Sequence, residues 1–166
     1  MQQKIPAKFV FSHPIHFLSF GFGSGLAPKA PGTFGTLSAL PIYYFMADLS
    51  LLCFVSATFL MSLVGIYLCD FTAKGLVRQK LSKYQDHGGI VWDEICGYLV
   101  TMIGVAFSWQ NMLLGFLLFR LFDILKPWPI SWLDKSVKGG YGIMIDDIVA
   151  GLMAMISLHY LIAYVI

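Results

Sequence analysis

The sequence predicts an all-α integral membrane bundle that forms a single domain over residues 1–166. Three observations predict this class: 58% of the residues are hydrophobic, only 12% are charged, and the mean hydropathy is +0.75. A soluble domain has about twice that charged fraction. We expect four to five short spans together with an interfacial or re-entrant segment rich in Gly and Pro. The net charge of +2 and the lack of a basic block give no indication of nucleic-acid binding.

The first irregular element precedes the predicted spans. Residues 1–20 mix Lys with aromatic residues, which is typical of a segment at a membrane surface. Residues 21–36, GFGSGLAPKAPGTFGT, contain too many Gly and Pro residues for a regular helix. At membrane depth such backbone is tolerated only where it is buried in protein or lines a polar cavity. Its N–H groups could bind an anion, with Gly25, Gly32 and Thr33 as the substrate-binding candidates. Packing of a re-entrant segment is the equally weighted alternative.

Five apolar runs are the predicted spans: residues 36–47, 51–69, 94–107, 111–125 and 147–166. Pro41 breaks the first run, and the second is the clearest because it has nineteen residues without a charge. Polar segments are expected over residues 70–89 and 131–145. In the first, Asp70, Lys74 and Arg78 are spaced by four and predict a solvated helix face, and the second is expected to be a loop. With these spans, all eleven Lys and Arg residues lie on one side, which is then the cytoplasmic side and includes the N-terminus. Eight of the nine acids lie there too, and only Asp48 is opposite.

Acidic residues stand at three span ends: Asp93 with Glu94, Asp123, and Asp146 with Asp147. Acids at a helix start are favoured by the helix dipole and by free N–H groups, so simple capping is the alternative. Capping explains less well why acid pairs recur at two helix starts in a chain with nine acids. Mg²⁺ prefers carboxylate oxygens together with water and substrate phosphate. We therefore expect these five acids to bind Mg²⁺, with Asp146 and Asp147 in a glycine-rich turn before the regular helix.

Two basic residues flank Asp123, because Arg120, Asp123 and Lys126 are spaced by three along one helix end. One interpretation is an Arg120–Asp123 ion pair with a Lys126 side chain that extends to the surface. In the other, Asp123 binds the metal, and Arg120 and Lys126 bind a phosphate. The residues of this helix alone favour neither interpretation. Together with the acid pairs, they favour binding of a metal and a phosphate. His87 lies in a DHG triplet, which more commonly forms a turn, and proton donation to a leaving group is the weaker alternative.

Four motifs resemble a known family in their order and spacing: GFGSGLAPKAPGTFGTL, DHGGIVWDE, FRLFDILKPWPI and GGYGIMIDDIVAG. They are similar to the phosphatidylglycerophosphatase A family, and the resemblance covers about Pro14 to Gly151. It implies a multi-pass lipid phosphatase of the bacterial inner membrane that depends on Mg²⁺. Such an enzyme converts phosphatidylglycerophosphate to phosphatidylglycerol in phospholipid biosynthesis. The resemblance also implies an acidic site with two cations: Asp93, Glu94, Asp123, Asp146 and Asp147, with Arg120 and Lys126.

Several interpretations stay open on the sequence alone. Metal-assisted attack by water and attack by a carboxylate nucleophile both fit these residues. A transporter or channel subunit is one alternative function, but it predicts acids near mid-membrane rather than at span ends. A CDP-alcohol phosphotransferase is another, but it needs acids spread over two helix turns with DG and AR pairs, which DDIVAG does not supply. The sequence gives no oligomeric state.

Overall fold

The computed structural model describes residues 5–83 and 87–164, and every regular element in these ranges is a helix. This confirms the all-α prediction for the described part. Its eight α-helices are α1 Ala7–Val10, α2 Pro14–Ser19, α3 Pro31–Met46, α4 Leu51–Arg78, α5 Trp92–Thr101, α6 Trp109–Leu125, α7 Ile130–Ser136 and α8 Gly139–Tyr164. A 3₁₀ helix, Gly21–Leu26, lies between α2 and α3.

Two helices of the described ranges, α4 and α8, are long and apolar enough to cross a membrane. The Ser50 side chain caps α4 by accepting a hydrogen bond of 3.3 Å from the Cys53 N–H. The helix then continues nine residues past Cys69 to Arg78, which confirms the helical spacing predicted for Asp70, Lys74 and Arg78. Asp70 and Lys74 stand one turn apart and form an ion pair of 2.6 Å on a solvated face.

The glycine-rich segment is irregular only in its first half. Within the 3₁₀ helix, Phe22 and Gly23 have φ values of 59° and 95°, which is the irregular backbone that the composition predicts. Residues 31–36 are helical, contrary to the prediction, because Pro31 supplies a pre-set φ at the first helical position. Pro41 does not break α3 either. It removes one backbone hydrogen bond, while neighbouring Ala39 and Tyr43 stay fully packed in the core.

The α5 helix is the centre of the molecule and is shorter than predicted. It ends at Thr101, so the helical span expected over residues 94–107 is wrong beyond that point. Ten residues rise only about 15 Å, which is half the hydrocarbon thickness of a bilayer. All of its residues except Glu94 are buried, so neighbouring helices rather than lipid surround it. Residues 102–108 leave the helical conformation and are only partly covered by protein, since Gly104, Ala106 and Phe107 are exposed.

The predicted polar loop over residues 131–145 is also wrong, because α7 and the first two turns of α8 occupy it. Gly139, with a φ of 72°, makes the turn between them. Gly140 is already helical and packs on α4, where a Cβ would lie 2.5 Å from the Cβ of Asp70. The glycines of this motif thus serve one turn and one close helix contact rather than an extended loop.

Candidate active site

Two glycines bring α5 and α8 into close contact. A Cβ on Gly97 would lie 2.7 Å from the carbonyl oxygen of Asp147, and a Cβ on Gly151 would overlap the carbonyl oxygen of Gly97. The Thr101 hydroxyl bridges the same crossing, at 3.0 Å from Gly97 O and 3.4 Å from Gly151 O. Asp93 and Asp147 each lie four residues before their glycine and hence on the same helix faces. The crossing therefore places the start of α5 beside Asp147.

Three carboxylates meet at this crossing. Asp93, Glu94 and Asp147 each offer one oxygen within 4.8 Å of the others. Asp93 and Asp147 are 9% and 3% exposed. One oxygen of each acid is buried and has no hydrogen-bond partner in the described residues: Asp93 Oδ1, Glu94 Oε2 and Asp147 Oδ2. Buried carboxylates that are unpaired and close together are costly, and a divalent cation with oxygen ligands removes that cost. The donor set fits Mg²⁺.

The adjacent acid, Asp146, belongs to a different contact. Its Oδ2 accepts a hydrogen bond of 2.6 Å from the Lys126 ammonium. Both acids lie inside α8, so the prediction that they occupy an irregular turn is wrong. Neighbouring residues of a regular helix point about 100° apart. This is why Asp147 faces α5 while Asp146 faces Lys126.

Lys126 has a second acidic partner that the sequence interpretation missed. Its ammonium also donates a hydrogen bond of 2.6 Å to Asp134 Oδ1 on α7. Burial lowers the pKa of Lys126, but Asp134 and Asp146 raise it by more, so the group stays charged. No spacing rule links residues 126 and 134, because the contact depends on the turn between α6 and α7.

Arg120 and Asp123 form the ion pair that the sequence offered as one interpretation of this helix. Arg120 Nη1 donates to Asp123 Oδ2, and the two side chains are 13% and 12% exposed. Arg120 Nε is buried without a partner in the described residues. The first turn of α3 lies against this group, since a Cβ on Gly32 would lie 3.1 Å from Arg120 Nη1 and would overlap Glu94 Oε1. Gly32 thus stands between the guanidinium and the three-acid cluster.

The other predicted binding residues have different surroundings. A Cβ on Gly25 would overlap the carbonyl oxygen of Gly89, so Gly25 allows a close loop contact. The Thr33 N–H donates a hydrogen bond of 3.0 Å to Ala30 O in the first turn of α3. His87 is buried, and its Nδ1 accepts a hydrogen bond of 3.1 Å from the Gly89 N–H, which is a turn contact. The binding role of Gly25 and Thr33 and the proton-donor role of His87 stay predictions.

Comparison with known proteins gives the family. A sequence model of the family described as phosphatidylglycerophosphatase A matches residues 17–162. The chain belongs to this family. A phosphatidylglycerophosphatase A of Escherichia coli (strain K12) is 43% identical, over 93% of this chain and 87% of its own. One from Haemophilus influenzae is 42% identical, over 90% and 89%. A Bacteroides thetaiotaomicron protein, provisionally named a phosphatidylinositol-3-phosphatase, is 33% identical, over 82% and 86%. No solved structure matches the chain significantly.

Family membership makes the chain an enzyme of the phosphatase class. It also confirms the resemblance that the four sequence motifs indicated. The three relatives carry phosphatase names, which favours this class over the transporter and the phosphotransferase alternatives.

Proposed function

We propose that the chain is a Mg²⁺-dependent lipid phosphatase that hydrolyses phosphatidylglycerophosphate to phosphatidylglycerol and phosphate. The observation that carries the proposal is the cluster of Asp93, Glu94 and Asp147. Three of its buried oxygens have no hydrogen-bond partner in the part of the chain that the structure describes, and the largely buried Arg120 side chain lies nearby. The substrate follows from the printed names of the E. coli and H. influenzae relatives.

In this proposal the three-acid cluster would hold Mg²⁺. A bound Mg²⁺ supplies positive charge to the phosphoryl oxygens and makes water more acidic. The role of the protein is to keep the carboxylates together in a buried place, which the glycines of α5 and α8 achieve. Asp123 and Asp146 were predicted to bind the metal, but in this proposal they hold basic side chains: Asp123 pairs with Arg120, and Asp146 pairs with Lys126.

The phosphate group of the substrate would contact Arg120 and the start of α3. A guanidinium suits bidentate contact with phosphate oxygens, and Asp123 fixes its orientation. The start of α3, including the Gly32 N–H, adds the positive end of a sixteen-residue helix. The contact between Gly32 and Arg120 brings both phosphate-binding elements to one place.

We take water as the nucleophile. Its oxygen attacks phosphorus, the bond between phosphorus and the glycerol oxygen breaks, and the glycerol oxygen leaves with a proton. Arg120 and Lys126 stabilise the charge that develops on the phosphoryl oxygens. Solvent ¹⁸O should then enter the released phosphate in a single turnover. Trapping of a phosphoenzyme on a carboxylate would contradict this choice and favour the carboxylate nucleophile.

The apolar exterior supports a position in the bilayer. α4 carries large apolar side chains that are mostly exposed, such as Leu52 at 77% and Phe59 at 63%. In the core of a soluble protein such a helix would be buried, whereas lipid covers it here. With 28 residues it is about 42 Å long, which exceeds the hydrocarbon thickness of about 30 Å.

We infer five crossings of the bacterial inner membrane, in which residues 102–108 complete the crossing that α5 begins. A hydrogen bond of 3.3 Å from the Tyr43 hydroxyl to Val105 O supports this arrangement, since it joins these residues to the far end of α3. The aromatic ring of Tyr44 also stacks on Trp109 at the start of α6. The charge distribution then places the N-terminus and the three-acid cluster on the cytoplasmic side.

The test is phosphate release by the purified protein in mixed micelles, with Mg²⁺ and with excess EDTA. We expect release from phosphatidylglycerophosphate that stops with EDTA and returns when Mg²⁺ is restored. Phosphatidylinositol 3-phosphate is the comparison substrate, because one relative bears that name. Faster release from it would overturn the substrate assignment, and release that EDTA leaves unchanged would overturn the metal dependence.

A further inference from the structure

Asp134 shares the Lys126 ammonium with Asp146, and neither the family resemblance nor the predicted site includes it. The two carboxylates reach the ammonium from different helices, Asp134 from α7 and Asp146 from α8, each at 2.6 Å. The Lys126 side chain is partly exposed, at 30%. Contacts with two carboxylates restrict how the ammonium can orient.

An ammonium has three N–H donors. With one carboxylate partner it can rotate about that hydrogen bond, and the other two donors have no fixed direction. With two partners on different helices the rotation stops, and the third N–H points in one direction only. Lys126 is the C-cap residue of α6, with a φ of 41°, and a hydrogen bond of 2.8 Å from its N–H to Phe122 O holds its backbone at the helix end.

We propose that Asp134 is a positioning residue that fixes the Lys126 ammonium, so that its third N–H is presented to a phosphoryl oxygen of the substrate. This inference rests on the proposed function, in which Lys126 contacts the phosphate. Asp134 itself does not touch the substrate, and it acts through Lys126 alone. It lies on α7 and is not one of the three acids of the cluster, so we expect the Mg²⁺ requirement to stay unchanged when it is replaced.

The experiment compares initial rates of phosphate release from phosphatidylglycerophosphate for wild type, Asp134→Ala, Lys126→Met and the double variant. Loss of orientation by a fraction of an ångström to an ångström should lower kcat by about 10- to 100-fold for Asp134→Ala. In the Lys126→Met background the same change should alter kcat by less than about 2-fold, because the group that Asp134 orients is gone. The Mg²⁺ concentration for half-maximal rate should stay at the wild-type value.

Two further variants keep the test decisive. Asp134→Asn retains one acceptor oxygen and the size of the side chain, so it should fold and fall between wild type and Asp134→Ala. Asp70→Asn breaks the Asp70–Lys74 pair, which has the same 2.6 Å length, retains an oxygen for the contact with the Gly140 N–H, and should keep the wild-type kcat. Its rate controls for the loss of an ion pair as such.

The outcomes separate this inference from the proposed function. If wild type releases no phosphate, the proposed function fails. If wild type is active and folded Asp134→Asn and Asp134→Ala match its kcat, Asp134 does not position Lys126. A further loss of 10-fold or more on adding Asp134→Ala to Lys126→Met would show that Asp134 acts on another group, and this also overturns the inference.

Discussion

Gly97→Ala should disable the enzyme through a displacement of Asp147. The added Cβ would lie 2.7 Å from Asp147 O and 2.5 Å from Phe119 Cε2, whereas ordinary contacts begin at 3.4 Å. Phe119 is fully buried, so the ring has little room to move. Relief therefore requires α5 and α8 to separate by about 0.7 Å at the acid cluster. A displacement near 1 Å commonly costs about 100-fold in rate.

The assay is phosphate release against Mg²⁺ concentration for folded protein in micelles. We expect the Gly97→Ala variant to lose about 10- to 100-fold in rate and to need more Mg²⁺ for half-maximal activity. Alanine has a higher helix propensity than glycine by about 1 kcal/mol, so α5 itself is not weakened. The matched control is Gly115→Ala on α6, whose Cβ would meet the flexible end of Met102, with Sδ at 2.5 Å. Wild-type rate and Mg²⁺ dependence in Gly97→Ala would refute the argument from the helix crossing.

Three other predictions follow from the site. Asp147→Asn should raise the Mg²⁺ concentration for half-maximal rate, whereas Asp146→Asn should lower the rate at an unchanged Mg²⁺ requirement. Equal Mg²⁺ curves for the two variants would contradict the assignment of Asp147 to the metal and Asp146 to Lys126. Arg120→Ala should cost about 2–4 kcal/mol of activation free energy in a folded protein, and wild-type turnover would remove Arg120 from the site. Cysteine introduced at Asp48 should react with a reagent confined to the periplasm, while cysteine at Lys138 should not, and labelling at Lys138 would reverse the proposed orientation.

The acidic residues that meet at the crossing of α5 and α8 could be selected from the sequence as site candidates, but their pairing in space could not. Asp93 and Glu94 stand in the first turn of α5, as their position before an apolar run predicts. Asp146 and Asp147 were expected to act together, because a glycine-rich motif precedes them. The regular helix separates them by about 100°, and this depends on where α8 begins rather than on the pair itself.

Helix lengths were the weaker part of the sequence interpretation. Hydropathy marks the end of the apolar run at Cys69, but α4 continues to Arg78, because charged residues one turn apart also favour a helix. For α5 the error is opposite, since residues 102–107 are apolar and yet not helical. Apolar composition alone does not make this segment helical: Gly104 has a φ of 73°, and Ala106 and Phe107 are exposed outside regular structure.

The remaining features of the site depend on tertiary contacts that the sequence does not show. The roles of Gly32 and Gly97 are visible only from the side chains that a Cβ would displace. The contact between Asp134 and Lys126 likewise depends on the turn between α6 and α7. In each case the sequence shows the residue type but not which residues it contacts in the folded protein. The sequence interpretation therefore lacked the packing partners of these residues, not their chemistry.

Binding of a divalent cation to Asp93, Glu94 and Asp147 can be measured directly. Mn²⁺ serves as a paramagnetic substitute for Mg²⁺, and electron paramagnetic resonance measures its binding to the purified protein without substrate. Wild type and Asp70→Asn should bind Mn²⁺ with the same affinity and release it to excess Mg²⁺. Asp93→Asn should bind at least about 10-fold more weakly, since outer partners of metal sites alone contribute that much. Wild-type Mn²⁺ affinity in folded Asp93→Asn and Asp147→Asn would contradict the claim.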